Sequence, residues 1–261
     1  MSGFHDLKDL QLEFDSRKET IQKVGIKNLK YPIKLKDEKD EIFNTIGTFC
    51  ISVNLKSNVR GIHMSRFIEV LNNNDLFISY EKIFDLVKQI RCSLGSENAF
   101  MKIKFPYFLK KQAPVSRKIS FLNYNISYLA KILEKKYICE LILKIPVMTS
   151  CPCSKAISNY GAHNQRSLIT INCRIEKNEN IKEIIKTIEK VASSELFSLL
   201  KKEDEKYVTE TSYNNSKFVE DIIRDISISI KKELGIKKYK IYSENMESIH
   251  NHNVFGYIVR K

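Results

Sequence analysis

Polar and apolar residues alternate with a period of two along several stretches of the chain. Phe49, Ile51, Val53 and Leu55 fall on one side, with Thr48, Cys50, Ser52 and Asn54 on the other. Cys139, Leu141, Leu143 and Ile145 alternate with Glu140 and Lys144, and Ile169, Ile171, Cys173 and Ile175 with Thr170, Asn172 and Arg174. An extended chain sends successive side chains to opposite faces, so each stretch predicts a strand with one buried face. Weaker alternation marks strands at 23–34, 99–105, 118–129, 237–243 and 253–259. Elsewhere the spacing is helical. A helix is predicted over 64–73, and another over 79–94, where Ile83, Phe84, Val87 and Ile90 form a stripe that Gly95 stops. Ile181, Ile184, Ile185, Ile188, Val191 and Ala192 make a third stripe, and Phe218, Val219, Ile222, Ile223 and Ile226 a fourth, ending at Gly235.

Both halves therefore read strand–strand–helix–helix–strand–strand, over 23–130 and 131–261, behind an N-terminal arm at 1–22. That order predicts an α+β class: antiparallel sheets, each with two helices on one face. Exposed sheet edges invite pairing with further copies, so a homo-oligomer is expected. The polar connection 149–165 interrupts an otherwise tight hairpin, and a connection of that length in a compact unit points to function.

Composition narrows the classes. The 43% apolar content of 261 residues is enough for a buried core. No apolar run approaches the ~20 residues of a membrane span, and Ile138–Met148 is cut by Glu140 and Lys144. Met1–Leu12 carries Asp6, Lys8 and Asp9 rather than the apolar block of a signal peptide, so a cytoplasmic protein without a membrane partner is expected. The net charge of +13 rests on lysines spread along the chain, with only nine arginines among 44 basic residues. Readers of nucleic acid lean on the arginine fork, so no nucleic-acid partner is expected, although a local basic pocket for a polyanionic small substrate is compatible. The six cysteines read as free thiols, with Cys50, Cys92, Cys139 and Cys173 as small buried hydrophobes.

Chemistry concentrates in two segments. Cys151-Pro152-Cys153-Ser154-Lys155 leads into His163-Asn164-Gln165-Arg166-Ser167, and Glu244 to His252 contains Glu247, His250 and His252. Thiolate, imidazole and carboxylate are the groups that bind a divalent cation and move protons, so a fold that joins the two segments makes a metal-assisted active site. Pro152 favours a polyproline or turn geometry in which Cys151 and Cys153 diverge, so one thiolate binds and the other lies nearby. His163 is expected as a ligand; of His250 and His252, one binds and the other carries protons. Glu203–Lys206 reads as a solvated helix end. Glu220-Asp221 opens a helix beside inward-facing apolar residues, and a partly buried carboxylate there suits the N–H and amino edge of a purine; the residues alone do not choose between the two. Ahead of the first helix, His63-Met64-Ser65-Arg66 offers either Ser65 as N-cap or, with Arg66, a place for phosphate.

Thr149–Lys155, Gly161–Ser167, Asp204–Glu210 and Glu247–His252 together resemble GTP cyclohydrolase I type IB. Val24-Gly25-Ile26, His63–Phe67 and Phe218–Asp221 match it in the same order, so the resemblance covers nearly the whole chain; Ala156 and Asn253 depart from it beside the motifs. The resemblance implies tandem tunnelling-fold units in a homotetramer with interface active sites. It implies conversion of GTP and water to 7,8-dihydroneopterin triphosphate and formate, the entry to tetrahydrofolate biosynthesis. It further implies a Zn, Mn or Fe ion held by Cys151, His163, Glu205 and His250. Glu220 would anchor guanine, with Glu247, His252 and Cys153 near the reacting ring and His63 and Arg66 as further substrate contacts. The alternatives are a nitrile reductase of the same superfamily and a basic nucleic-acid-binding module with structural zinc. The reductase would use a cysteine nucleophile and a nicotinamide and would not need this ligand set, so neither nicotinamide nor flavin is expected. The zinc module would not mix carboxylate into its ligands.

Overall fold

A computed structural model describes residues 9–36 and 41–260; the first eight residues of the expected arm, and Lys261, lie outside them. A short 3-10 turn at Leu10–Leu12, started by the Asp9 carboxylate accepting the Gln11 N–H at 3.2 Å, precedes the first strand. The elements then run β1 (Ile21–Lys36), β2 (Ile42–Leu55), α1 (Ser65–Asn72), α2 (Tyr80–Ser93), β3 (Ala99–Gln112), β4 (Ile119–Leu133), β5 (Lys136–Ser150), α3 (Pro152–Ile157), β6 (Asn164–Ile175), α4 (Ile181–Val191), α5 (Lys202–Asn214), α6 (Val219–Glu233), β7 (Tyr239–Asn245) and β8 (Val254–Arg260). Strand order in the sheet follows the sequence from β1 to β8, and the β1–β2, β2–β3, β6–β7 and β7–β8 pairs are antiparallel. The class is α+β, as the alternation predicts. Among the described residues no helix is long and apolar enough to cross a membrane.

The chain forms two compact units. One takes the residues up to Phe105 with Tyr128–Cys139 and Glu176–Asn178; the other takes Pro106–Ser127, Glu140–Ile175 and the residues from Glu179 on. In the first unit the β2 alternation buries Phe49, Ile51 and Val53, which pair in register with Ile103, Met101 and Ala99 of β3. Phe67 and Leu71 of α1 and Ile83, Val87 and Ile90 of α2 complete this core. Gly95 ends α2 in the left-handed region (φ +59°), giving its N–H to Cys92 O while Ser96 N–H reaches Arg91 O, both at 3.1 Å. That pair of bonds satisfies the last carbonyls of the helix, and a glycine adopts the dihedral without strain. Ser65 is not the N-cap. Met64 already has helical dihedrals (φ −64°, ψ −30°), so Ser65 is the first residue inside α1 and makes no capping bond. Two cysteines also differ from expectation: Cys50 and Cys92 are exposed, because Cys50 sits on the outward beat of β2 and Cys92 off the apolar stripe of α2. Cys139 and Cys173 are buried as expected, and burial pushes the Cys173 thiol up to about 12.

In the second unit Leu141, Leu143, Ile145 and Val147 of β5, Ile169, Ile171 and Cys173 of β6, Ile184, Ile185 and Ile188 of α4 and Ile222, Ile226 and Ile230 of α6 are all buried. Helix α6 rests on β7 and β8. At Gly256 of β8 the approach is so close that a Cβ would stand 2.2 Å from Ile223 Cδ1. Two helices here are absent from the sequence pattern. The polar connection after β5 contains α3. Further on, the expected solvated helix end at Glu203–Lys206 opens a complete helix, α5. Its only buried residues are Asp204 and Ser212, so it shows no apolar stripe. Polar ties hold it instead. Asp204 accepts the N–H groups of Lys201, Val115 and Ser116, each at 2.8 Å, and the Ser116 hydroxyl at 2.5 Å. Burial alone would raise this carboxyl, but the bonds from Ser116 and the three backbone N–H groups together hold it well below the usual carboxylate range. At the other end of α5, Lys155 of α3 donates to Tyr213 O at 2.7 Å.

Candidate active site

The sheet itself makes Cys151 and His163 neighbours. Cys151 N–H donates to His163 O at 3.0 Å, so the chain leaves the β5–β6 hairpin and returns to it at these two residues. Between them runs α3, with Pro152 in its first turn, where a missing N–H costs nothing, and Cys151 as N-cap. The Cys151 sulfur accepts the Ser154 N–H at 3.5 Å, and Ser154 Oγ donates to Cys151 O at 3.2 Å and accepts the His163 N–H at 3.1 Å. The expected polyproline or turn geometry is thus replaced by a helix start. Cys151 is half-buried at the cap and Cys153 is exposed on the helix, both free.

The loop between β7 and β8 brings the second segment to the first. Asn253 Nδ2 donates to Glu244 Oε1 at 2.9 Å across the base of that loop, and Met246 N–H donates to Arg166 O at 3.0 Å. Glu247 Oε2 then lies 3.9 Å from His163 Nδ1 and 3.7 Å from His250 Nδ1, although its side chain is only 7% exposed. The His163 and His250 rings meet edge to face, with centroids 6.1 Å apart, and His252 stacks on His250 at 5.2 Å. A buried carboxylate facing two imidazoles, neither at hydrogen-bond length, is an environment that a cation or protonated ligand would stabilise.

Behind His163 runs a chain of hydrogen bonds. His163 Nδ1 lies 3.0 Å from Gln165 Oε1, Gln165 Nε2 donates to Thr149 Oγ1 at 2.9 Å, Thr149 Oγ1 lies 2.8 Å from Ser167 Oγ, and Ser167 Oγ donates to Asn245 Oδ1 at 2.7 Å. Gln165, Thr149, Ser167 and Asn245 are all buried.

A cavity of about 700 Å³ opens in front of this group, lined by Ser154, His163, Asn164 and Ile249 and, from α5, by Thr209, Ser212 and Tyr213. Glu205 is exposed on the first turn of α5, one and two turns before Thr209 and Ser212, and so on the face that lines the cavity. Among the described residues no three His, Cys, Asp or Glu side chains already converge on a cation position. The donors Cys151, His163, His250 and Glu205 nevertheless suit a borderline divalent ion by chemistry, with sulfur, nitrogen and oxygen in one set. At α6 the two carboxylates separate. Asp221 Oδ2 accepts the Phe218 N–H at 3.0 Å as part of the helix cap, whereas Glu220 is exposed rather than partly buried. Asp221 is thus engaged with the backbone as part of the cap. In the first unit, His63 and Arg66 line a separate cavity of about 140 Å³. His63 Nε2 lies 3.0 Å from Asp9 Oδ2, and Arg66 Nη1 donates to Ser93 O at 2.9 Å.

A profile of the family described as type I GTP cyclohydrolase FolE2 matches residues 7–256. The chain is 43% identical over 252 residues to GTP cyclohydrolase FolE2 of Methylobacillus flagellatus, covering 97% of this chain and 95% of that one. It is 42% identical over 257 residues to GTP cyclohydrolase FolE2 of Azoarcus sp. strain BH72 (98% and 96%) and 43% over 250 residues to that of Dictyoglomus turgidum (96% of each). Among solved structures, uricase from Arthrobacter globiformis aligns with a TM-score of 0.55 at 7% identity (92% of this chain, 94% of that one), and urate oxidase from Bacillus subtilis 168 with 0.51 at 9% (92% and 99%). At such identity the likeness speaks to the fold alone, which is the tunnelling fold.

Proposed function

Because the chain belongs to the type I GTP cyclohydrolase FolE2 family, we propose that it converts GTP and water to 7,8-dihydroneopterin triphosphate and formate, the first step of tetrahydrofolate biosynthesis. The observation that carries this reading is the meeting of His163, His250 and the buried Glu247 beside the Cys151 cap, at the mouth of a cavity of about 700 Å³. That volume falls within the roughly 300–1,000 Å³ common for small-molecule sites.

In this reading Cys151, His163, Glu205 and His250 would hold a divalent cation, Zn, Mn or Fe, which when bound would supply polarisation and acidification of the attacking water. The chain's own groups do the rest. Glu220 accepts N1–H and the 2-amino group, fixing the base against rotation. Glu247, buried between two imidazoles, takes and returns protons as the five-membered ring opens and formate leaves, and His252, stacked on His250, exchanges them with solvent. Cys153 is exposed on α3 and contributes at the rim. His63 and Arg66 are read as further substrate contacts. The protein works in the cytoplasm as a homotetramer with active sites at subunit interfaces. The last strand, β8, whose Phe255 and Tyr257 are exposed, supports the assembly by offering an edge for another copy.

The test is incubation with GTP and added Mn²⁺ or Zn²⁺, following formate and, after oxidation, a fluorescent pterin. Both products at one per GTP are expected. GTP left intact, or a pterin formed without formate, contradicts the reading. Sedimentation should give four chains per particle; an active monomer at micromolar concentration contradicts the assembly.

A further inference from the structure

The hydrogen-bond chain behind His163 has a direction, and donor counting fixes it. Asn245 Oδ1 can only accept, so Ser167 spends its single hydrogen there, at 2.7 Å. Thr149 must then be the donor in the 2.8 Å contact to Ser167. With its hydrogen used, Thr149 receives from Gln165 Nε2 at 2.9 Å, which turns Gln165 Oε1 toward the ring. An amide oxygen accepts only, so His163 Nδ1, 3.0 Å away, carries the hydrogen and the lone pair is left on Nε2.

We propose that Gln165, Thr149, Ser167 and Asn245 are positioning residues that lock His163 in the Nδ1–H tautomer and present Nε2 as its donor atom. The four come from β6, β5, β6 and β7, and Ser167 pairs directly with Asn245 in the ladder, so the sheet register assembles the chain. All four residues are at most 8% exposed, so a bond of the chain left unmade is costly. The sense of every bond is set at the far end, by which atom of the Asn245 amide faces Ser167. A reversed amide would reverse the series and move the lone pair to Nδ1. The proposal rests on the reading of His163 as a ligand only for its purpose; the tautomer itself is independent of it.

The experiment is ¹⁵N NMR of histidine-labelled, metal-free protein at about pH 8, where imidazole is neutral, joined to Zn²⁺ affinity by competition with a chelator. Wild type should show His163 with a protonated Nδ1 and a bare Nε2. Gln165→Leu removes the acceptor and should give a mixture of tautomers and a roughly 10–100-fold loss of Zn²⁺ affinity. Gln165→Glu keeps an acceptor toward the ring but loses the donor to Thr149, so the Nδ1–H tautomer should persist although the chain behind it is broken. Ser167→Ala breaks the chain two bonds from the ring without touching it, and should shift the tautomer ratio in a protein whose dispersed spectrum shows it folded. A wild-type His163 protonated on Nε2, or a Gln165→Leu protein with unchanged tautomer and unchanged affinity, overturns the proposal. A correct tautomer that responds to these variants, in a protein that binds no Zn²⁺, supports the proposal and refutes only the ligand role of His163.

Discussion

His163 and His250 stand edge to face, with ring centroids 6.1 Å apart and planes at 82°, although 87 residues separate them in the chain. The β6–β7 ladder creates this contact. It sets Ser167 opposite Asn245, and the chain then runs outward from that pair toward His163 on one side and the Glu247–His252 loop on the other.

Removal of the proposed cation is expected to silence the enzyme reversibly. Cys151→Ala and His163→Ala should each lower GTP turnover by at least about 10³-fold, since a metal-activated water has no ready substitute. Circular dichroism should show both variants folded. Protein shown by elemental analysis to be metal-free, yet turning over GTP at the full rate, would rule the ion out.

The carboxylates of α5 and α6 should separate in kinetics. Glu220→Gln loses one acceptor toward guanine, so it should raise KM for GTP while metal content stays at the wild-type level. Discrimination against ATP, which lacks both donors and which a paired site can reject by ~10⁴-fold, should narrow. Glu205→Gln should do the reverse, lowering metal content and kcat with little change in GTP affinity. A Glu220→Gln protein that lost its metal and kept its GTP affinity would show the two roles assigned the wrong way round.

Asp204 should matter more for stability than its exposed neighbours. Asp204→Ala strands three backbone N–H groups and a hydroxyl at the start of α5, and should cost about 3 kcal/mol in denaturant unfolding. Glu203→Ala should change stability by less than about 0.5 kcal/mol. Equal effects of the two substitutions would contradict the tie.

Lys111 sits 2.9 Å from Glu189 and 2.7 Å from Glu195, and Tyr124 donates to Glu189 at 2.6 Å, in a pocket where Lys111 and Glu189 are almost fully buried. Lys111→Met should cost about 3–5 kcal/mol by leaving a buried carboxylate without its cation, and adding Glu189→Leu should recover most of that. Burial pushes the Glu189 carboxyl above its ordinary 4.5 even with Lys111 beside it. A raised folded-state value means that its contribution is fully present below 4.5 and is lost as pH rises through the folded value. Losing Lys111 raises that value further, so the deficit of the variant should widen from acid to neutral pH. A deficit that shrinks toward neutrality would refute the assignment.

The strands and four of the helices were legible because their buried faces are apolar and periodic: most stripe residues of α2, α4 and α6 reappear in the core, although Phe218 is exposed at the N-cap of α6 and Phe84 and Ile181 are half-buried. Helix α5 was not, because its inward residues are Asp204 and Ser212. A buried aspartate reads in sequence like any member of the run Glu203–Lys206 until the turn at Val115–Ser116 is seen around it. Of the candidate site, His163, Glu247, His250 and His252 could be picked out by side-chain type. Between Glu220 and Asp221 the residue types alone gave no choice, the resemblance pointed to Glu220, and the structure adds that Asp221 is engaged in the helix cap. The row from Gln165 to Asn245 was out of reach for another reason: its members are ordinary polar residues on three strands, and only register makes them a row.

The close seating of α6 on β8 at Gly256 has a consequence for alignment. Helix α6 carries in its first turn the carboxylate proposed to read the base, and β8 continues directly from the loop bearing His250 and His252. Ile223 Cδ1 fills the place a side chain at 256 would take, 2.2 Å from where its Cβ would stand, while the next atoms lie at an ordinary 3.6 Å. A methyl group added at Gly256 would therefore press first on the tip of Ile223, and α6 would keep its seat on β8 only as far as that one methyl swings aside. The bare backbone at 256 thus works as a gauge for the spacing between the helix proposed to hold the base and the strand that leaves the histidine loop.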